Sequence, residues 1–461
     1  MLKRLSVHGQ LLERCKQLPT RNIEYARRFS RGLMGGAMLM QKLRFWAKSA
    51  FLLGLLVCWY PYAGVARSDD PSSAPATADA YGRSVRDFLA ERVYERTEID
   101  NWLLPKASSF SKYDALLGYR MANRILREGI DGSLVRYRYT DDGARKMVVY
   151  AERTCQINSY GSSFTDGEQV GDAETWQEFL AGHLEEPVRN YGIGGQTAYQ
   201  SYVRMRREEQ RTPAKYILFN LTPPFERQLV GWQALFYTKS AKHLAPPIPS
   251  VKVNSADDSF EERPNPCPTP ESLYKFCDLD WICATYKDDL ILHVQVAGYN
   301  SQQGQAALSY AQLMKLSADH GRPVNITTPT ELRQACEQLL LQESLYATIR
   351  TIEQVVTFAK AHNKQVLFLL TYPQSDIERT VRSGQRFDQP IVDHLQQHKL
   401  PFVDLLAAFE TACDGQLPIE DFLQPYYVGH HSPLGNAFIA YAVKDRLVDL
   451  MNPKPLPYRK E

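Results

Sequence analysis

Ile157-Asn158-Ser159-Tyr160-Gly161-Ser162-Ser163-Phe164-Thr165-Asp166-Gly167 opens the stretch that decides the fold. It continues through a helical pattern to Asn190-Tyr191-Gly192-Ile193-Gly194-Gly195-Gln196-Thr197. A strand enters a glycine-flanked serine turn, a helix follows, and a second strand ends in a glycine-rich loop. Such a unit belongs to a parallel α/β sheet, and open sheets of this kind bind ligands at the carboxyl ends of their strands. Ser163 stands at that end. The glycines allow close backbone approach and offer N–H groups to a developing negative charge.

Outward from this stretch the α/β alternation continues. A helix after Asp172 carries Trp176, Phe179, Leu180 and Leu184 on one face, and a helix over 197–207 turns Tyr199, Tyr202 and Met205 inward. Tyr216–Leu221 and residues 366–372 are near-continuous apolar runs, as buried parallel strands are. Helices are expected over 331–361, 388–397 and 433–451, with a short strand at 402–405. The expected architecture is three-layer α/β/α around a central parallel sheet. Residues from 223 to about 330 break the rhythm and read as a large insertion holding a lone strand at 290–296. Residues 81–152 read as an extension: a helix over 81–104, then a β-hairpin pairing 133–139 with 145–151 across the turn Thr140-Asp141-Asp142-Gly143.

The chain has 461 residues, 44% of them hydrophobic, and a formal net charge of +2. That charge is lopsided: residues 1–48 carry +9 and the remainder −7. The folded part has no basic face for nucleic acid. Lys42, Arg44 and Lys48 precede an apolar stretch over 49–66 that ends Ala63-Gly64-Val65-Ala66, the pattern of a signal peptide cut after Ala66. An uncleaved segment would instead anchor the protein to a membrane. Met34, Met38 or Met40 would each place a start closer to this signal. Residues 67–80 read as a linker and 452–461 as a tail. Export makes disulfides the expected use of Cys155, Cys267, Cys277, Cys283, Cys336 and Cys413, with a local bridge among the middle cluster.

A serine hydroxyl needs a base and a held geometry before it is a nucleophile. The base is expected from Gly429-His430-His431-Ser432-Pro433-Leu434-Gly435-Asn436, just before the last helix. The paired histidines also raise metal binding, but no third ligand accompanies them, so no metal and no cofactor is expected.

Together these pieces resemble the SGNH hydrolases, the GDSL-type esterases. Gly161 to Gly167 fits that family's Gly-Asp-Ser-Phe-Thr-x-Gly block at six of seven positions, Asn190 to Gly195 fits its Asn-x-x-x-x-Gly loop, and His430 to Asn436 fits its last block. The resemblance covers 155–207 and 427–450 most strongly, weakens over 345–405, and implies an SGNH-like domain over 153–451. It makes Ser163 the nucleophile, His430 the base, and Ser163 with Gly195 the oxyanion hole. Three positions depart. Ser162 replaces the aspartate before the nucleophile. Thr222-Pro223-Pro224-Phe225-Glu226 lacks the asparagine that donates to the oxyanion, a loss that typically costs about 10²–10³ in rate. Tyr427 stands where the family's aspartate would orient the histidine, and losing that orientation can cost on the order of 10⁴. A backbone carbonyl or a distant acid would have to hold the imidazole instead; Asp404 and Asp421 are candidates, and the sequence assigns neither. The implied activity is an exported esterase acting on a small-molecule or carbohydrate ester. The alternatives are an O-acetyltransferase on the same site and a binding protein on a decayed scaffold.

Overall fold

The computed structural model describes residues 78–104, 110–236, 245–415 and 417–459. The apolar stretch over 49–66, and with it the signal peptide or anchor, lies outside them. Among the described residues no helix is long and apolar enough to cross a membrane.

The chain begins with helices α1 (Ala78–Ala90) and α2 (Arg96–Leu103) and two antiparallel pairs, β1 (Ser111–Asp114) with β2 (Gly118–Met121) and β3 (Arg124–Arg127) with β4 (Leu134–Tyr137). The α/β part then runs β5 (Ile157–Tyr160), the short helix α3 (Ser163–Asp166), α4 (Trp176–Leu184), β6 (Val188–Asn190), α5 (Ala198–Arg211) and β7 (Tyr216–Leu221). The insertion holds the hairpin β8 (Ser250–Asn254) and β9 (Ser259–Arg263), then α6 (Leu279–Tyr286), α7 (Leu290–Gln302) and α8 (Ala306–Asp319). After the long α9 (Pro329–Ala361) come β10 (Gln365–Leu370), α10 (Gln374–Ser383), α11 (Gln389–Gln397), β11 (Phe402–Asp404), α12 (Leu405–Cys413), α13 (Ile419–Leu423) and α14 (Pro433–Leu450).

The central sheet has the order β11-β10-β7-β5-β6, and every pair in it is parallel. All residues of β5 and β7 are buried, because helices cover both faces. The step from β5 to β6 runs one way across the sheet and all later steps run the other. With right-handed crossovers, those directions put their helices on opposite faces. Accordingly α4 packs with α14, and α5 and α11 pack with α9. The fold is therefore α/β/α, as the sequence implied. The chain reverses direction between β5 and β7, which opens a crevice at the strands' carboxyl ends. The serine turn leaves β5 at that point.

Four expectations are corrected. The helix over 81–104 is two, because Glu95 starts a new one with a capping box to Glu98. The strand at 134–137 pairs backward with β3, and the expected hairpin is reduced to an antiparallel bridge between Tyr139 and Arg145, with Lys146 N–H donating to the Arg138 carbonyl at 2.8 Å. The turn forms, but Arg145 then donates its backbone N–H to Asn190 at 2.9 Å, drawing the return leg toward the main sheet. Leu290 begins a helix capped by Asp289 and not a strand. That run is buried by neighbouring helices, so its apolar residues show no helical face, and periodicity cannot tell such a run from a strand. Finally, Cys155, Cys267, Cys283, Cys336 and Cys413 are free thiols, so no local bridge closes the 267–283 region. Cys155 and Cys267 instead place their sulfurs against the carbonyls of Ile157 and Ser272.

Candidate functional site

Ser163 is the first residue of α3, held by the turn that leaves β5. The carbonyl of Ser162 accepts from the N–H groups of Thr165 and Asp166, and that of Ser163 accepts from Gly167 and Glu168. This one-turn helix closes on Gly167, whose φ of +76° favours glycine. Space is tight around it. A Cβ on Gly161 would lie 2.1 Å from Thr165 Oγ1, and one on Gly192 would lie 2.1 Å from the backbone nitrogen of Asp166. The glycine-rich loop after β6 therefore presses its backbone onto the helix that carries Ser163. It is also tied there, since Ile193 N–H donates to the Gly161 carbonyl at 3.1 Å. Two residues on, Gly195 turns with a φ of +73°.

His430 reaches the serine from the loop before α14. Its Nε2 lies 2.8 Å from Ser163 Oγ. Ser432 caps α14 by accepting from Gly435 N–H, and Val428 N–H donates to the His430 carbonyl, so the loop is fixed at both ends. Phe164 packs its ring 4.8 Å from that of His430. The structure thus brings Ser163 and His430 together, and the Gly195 loop beside the serine turn. His431 points elsewhere: it is buried, and its Nε2 donates to Tyr427 Oη at 3.1 Å.

The group behind the imidazole is Gln169, which the sequence reading did not single out. Its Oε1 accepts from His430 Nδ1–H at 3.2 Å and from His430 backbone N–H at 2.5 Å. Both partners are donors when Nε2 faces the serine hydroxyl, so the amide oxygen, not its NH₂, belongs there. That fixes the tautomer with the proton on Nδ1 and a lone pair on Nε2. Asp404 and Asp421 do not substitute for the missing aspartate. Asp404 pairs with Arg386 and caps α12, and Asp421 is exposed. The sequence held one faint signal for Gln169: it lies just beyond the serine block. No spacing rule marks it.

The residues that seat Gln169 come from the N-terminal extension. Tyr137 Oη accepts from Gln169 N–H at 2.6 Å. Arg145 is 2% exposed and donates at 2.6 Å to each of the carbonyls of Asp166, Gly167 and Val170, while its Nε pairs with Asp172 at 3.2 Å. Asp172, expected to cap a helix, is thus drawn into this cluster; Thr175 holds the N-cap position of α4 without a side-chain bond, and Asn436 Oδ1 accepts from the first helical N–H instead. Tyr139 Oη donates to the buried Asp166, and Tyr119 Oη donates to the Gly194 carbonyl at 2.8 Å. The extension is part of the site's frame.

Burial pushes the His430 imidazole down, to about 4, against the opposing pull of Glu128 and Asp166. His431 goes the same way, to about 3, through burial and then His430. Both rings are neutral at pH 7, the state a general base needs. The place implied for a donating asparagine holds Pro223 and Pro224, which have no N–H to offer. Asn220, just before it, is buried and spent: it donates to Thr165 Oγ1 and accepts from Thr371 Oγ1, both at 2.9 Å. Among the described residues no cluster of His, Cys, Asp and Glu could hold a metal ion.

No family model matches the chain, and no curated protein does. Among solved structures it is similar to a proposed acylhydrolase from Bacteroides fragilis, at 13% identity and a TM-score of 0.31, over 64% of this chain and 86% of that one. It is also similar to a proposed lipolytic protein of the G-D-S-L family from Desulfitobacterium hafniense, at 11% identity and a TM-score of 0.28, over 64% of this chain and 99% of that one. Likeness of this degree carries no chemistry across, and the functional reading rests on the side chains themselves.

Proposed function

We propose that this protein is a serine ester hydrolase working through a Ser163–His430 dyad oriented by Gln169. The observation that carries this reading is the 2.8 Å contact between Ser163 Oγ and His430 Nε2, with Nδ1 held in the correct tautomer. Ser163 Oγ attacks the acyl carbonyl while its proton passes to Nε2. The carbonyl π electrons move onto oxygen, where the N–H groups of Ser163 and Gly195 receive them. The bond to the alcohol breaks as the intermediate collapses, and Nε2 returns the proton to the leaving oxygen. Water repeats the sequence on the acyl-enzyme. Export, as the N-terminal pattern suggests, would put O-acetylated carbohydrate within reach as substrate. The same dyad would pass the acyl group to a sugar hydroxyl if an acceptor displaced water.

The test is hydrolysis of p-nitrophenyl acetate by the purified protein beside Ser163→Ala and His430→Ala, with fluorophosphonate labelling of each. The expected result is activity and labelling in the parent, with both lost in Ser163→Ala. Equal rates in folded protein of all three, without labelling, would overturn the reading in favour of a binding protein.

A further inference from the structure

A catalytic imidazole becomes positively charged when it takes the serine's proton, and a triad carboxylate both directs the ring and balances that charge. Gln169 can do only the first. On the other side of the ring, Glu168 Oε2 lies 3.6 Å from His430 Nε2. The chain path accounts for this. Glu168 follows the left-handed Gly167 and donates its backbone N–H to the Ser163 carbonyl at 3.2 Å, so its side chain springs from the turn that carries the nucleophile. It is wedged against the glycine-rich loop: a Cβ on Gly194 would lie 2.0 Å from its Oε1. Arg124 Nη2 steadies that same oxygen at 3.7 Å, and its side chain is only 8% exposed.

We propose that Glu168 supplies, from the Nε2 side, the negative charge that stabilises the His430 imidazolium, so that the two duties of one triad carboxylate are divided between Gln169 and Glu168. This rests on the hydrolase reading above. Glu168 acts through His430 and is a positioning residue in that sense. The other charged groups around the pair are mixed. Burial lowers the imidazole's pKa most, Glu128 and Asp166 pull it back up, and Arg227 lowers it further. Burial raises the Glu168 pKa above the usual carboxylate value and Glu128 adds to this, while Arg124, Arg145 and Arg227 pull it back toward the ionised form. Asp166 is farther committed, to Tyr139 and the arginines. Of these acids, Glu168 is the one in ion-pair reach of the nitrogen that gains the proton. The opposite charge at this distance favours the protonated ring.

The experiment compares the parent with Glu168→Gln, Glu168→Asp and the double variant Glu168→Gln/Gln169→Glu, after circular dichroism shows that each is folded. Hydrolysis of p-nitrophenyl acetate is measured across pH, and the His430 ring is titrated by NMR. Expected for Glu168→Gln are a fall in kcat of about 10- to 100-fold with KM little changed, a lower imidazole pKa and an acid limb moved to lower pH. Glu168→Asp retains part of the rate, and the double variant regains at least about ten-fold by restoring a charge at Nδ1. A parent-like kcat with an unmoved imidazole, or a change confined to KM, would overturn the proposal. If parent and Ser163→Ala hydrolyse at equal rates, the hydrolase reading fails. The NMR titration then still decides whether Glu168 is coupled to His430.

Discussion

At the scale of single residues, the site turns on an amide doing part of a carboxylate's work. Gln169 Oε1 takes two hydrogen bonds from one histidine, which fixes both the loop and the ring. Gln169→Leu keeps the bulk and removes the acceptor. We expect kcat to fall on the order of 10³-fold with folding intact, since a wrongly oriented or tautomerised base forfeits most of its contribution. An unchanged kcat would show that the ring is held by its packing on Phe164. The pH profile follows from the neutral base. Burial lowers the His430 pKa to about 4, although its side chain is 26% exposed and solvent returns part of that shift. The lone pair on Nε2 is present above that pKa and lost as pH falls through it. The acid limb of kcat/KM is therefore expected below the ordinary imidazole value of about 6.5. A midpoint at or above that value would contradict a buried base.

At the scale of elements, the loops at the sheet's carboxyl edge are held by contacts no single loop could make. Asn436, near the start of α14, accepts from the first backbone N–H of α4 at 2.9 Å and donates to the His431 and Ser432 carbonyls at 3.0 Å. It caps one helix while tying down the histidine loop of another. Asn436→Ala is expected to cost about 2–3 kcal/mol in chemical denaturation, because buried partners are left unpaired. A cost within about 0.5 kcal/mol would be that of an ordinary surface position. Gly429 is a second such joint. Its φ is +109°, and a Cβ there would lie 2.6 Å from Gln169 Oε1. Gly429→Ala is expected to displace the amide and lower kcat at least about ten-fold, with a smaller effect on stability. Steady-state kinetics beside a melting curve would separate the two effects. The residue patterns located these elements well: Tyr216–Leu221 and Pro433–Leu450 form where their patterns put them. They missed the β3–β4 pairing and the helical Leu290–Gln302, where they were short or uniformly apolar.

At the scale of the whole molecule, the N-terminal extension and the α/β domain share one site. Arg145 stands at the junction, its guanidinium enclosed by Asp172 and three carbonyls and lying over the Tyr137 ring at 4.5 Å. Arg145→Met would leave those buried carbonyls without the guanidinium, and Asp172 with Arg138 as its remaining cation at 2.6 Å. Leaving a buried acceptor unpaired costs about 1–3 kcal/mol, and three are affected. We expect a large drop in the unfolding midpoint, and a loss of hydrolysis in whatever fraction remains folded. A midpoint near that of the parent would mean that the extension merely rests on the domain.

The sequence by itself determined the sheet, its helices, and the meeting of Ser163 with His430. Apolar runs, caps and glycine turns act locally, and the order of strands and helices admits few right-handed arrangements. It also carried the two absences, at Tyr427 and at Pro223-Pro224. Only the tertiary structure decided what stands behind His430. Gln169 Oε1 and His430 are 261 positions apart in the chain, and Arg145 reaches the site from the extension. Such contacts depend on where whole elements pack and on which buried donor finds which acceptor, a choice made in three dimensions that no periodicity records.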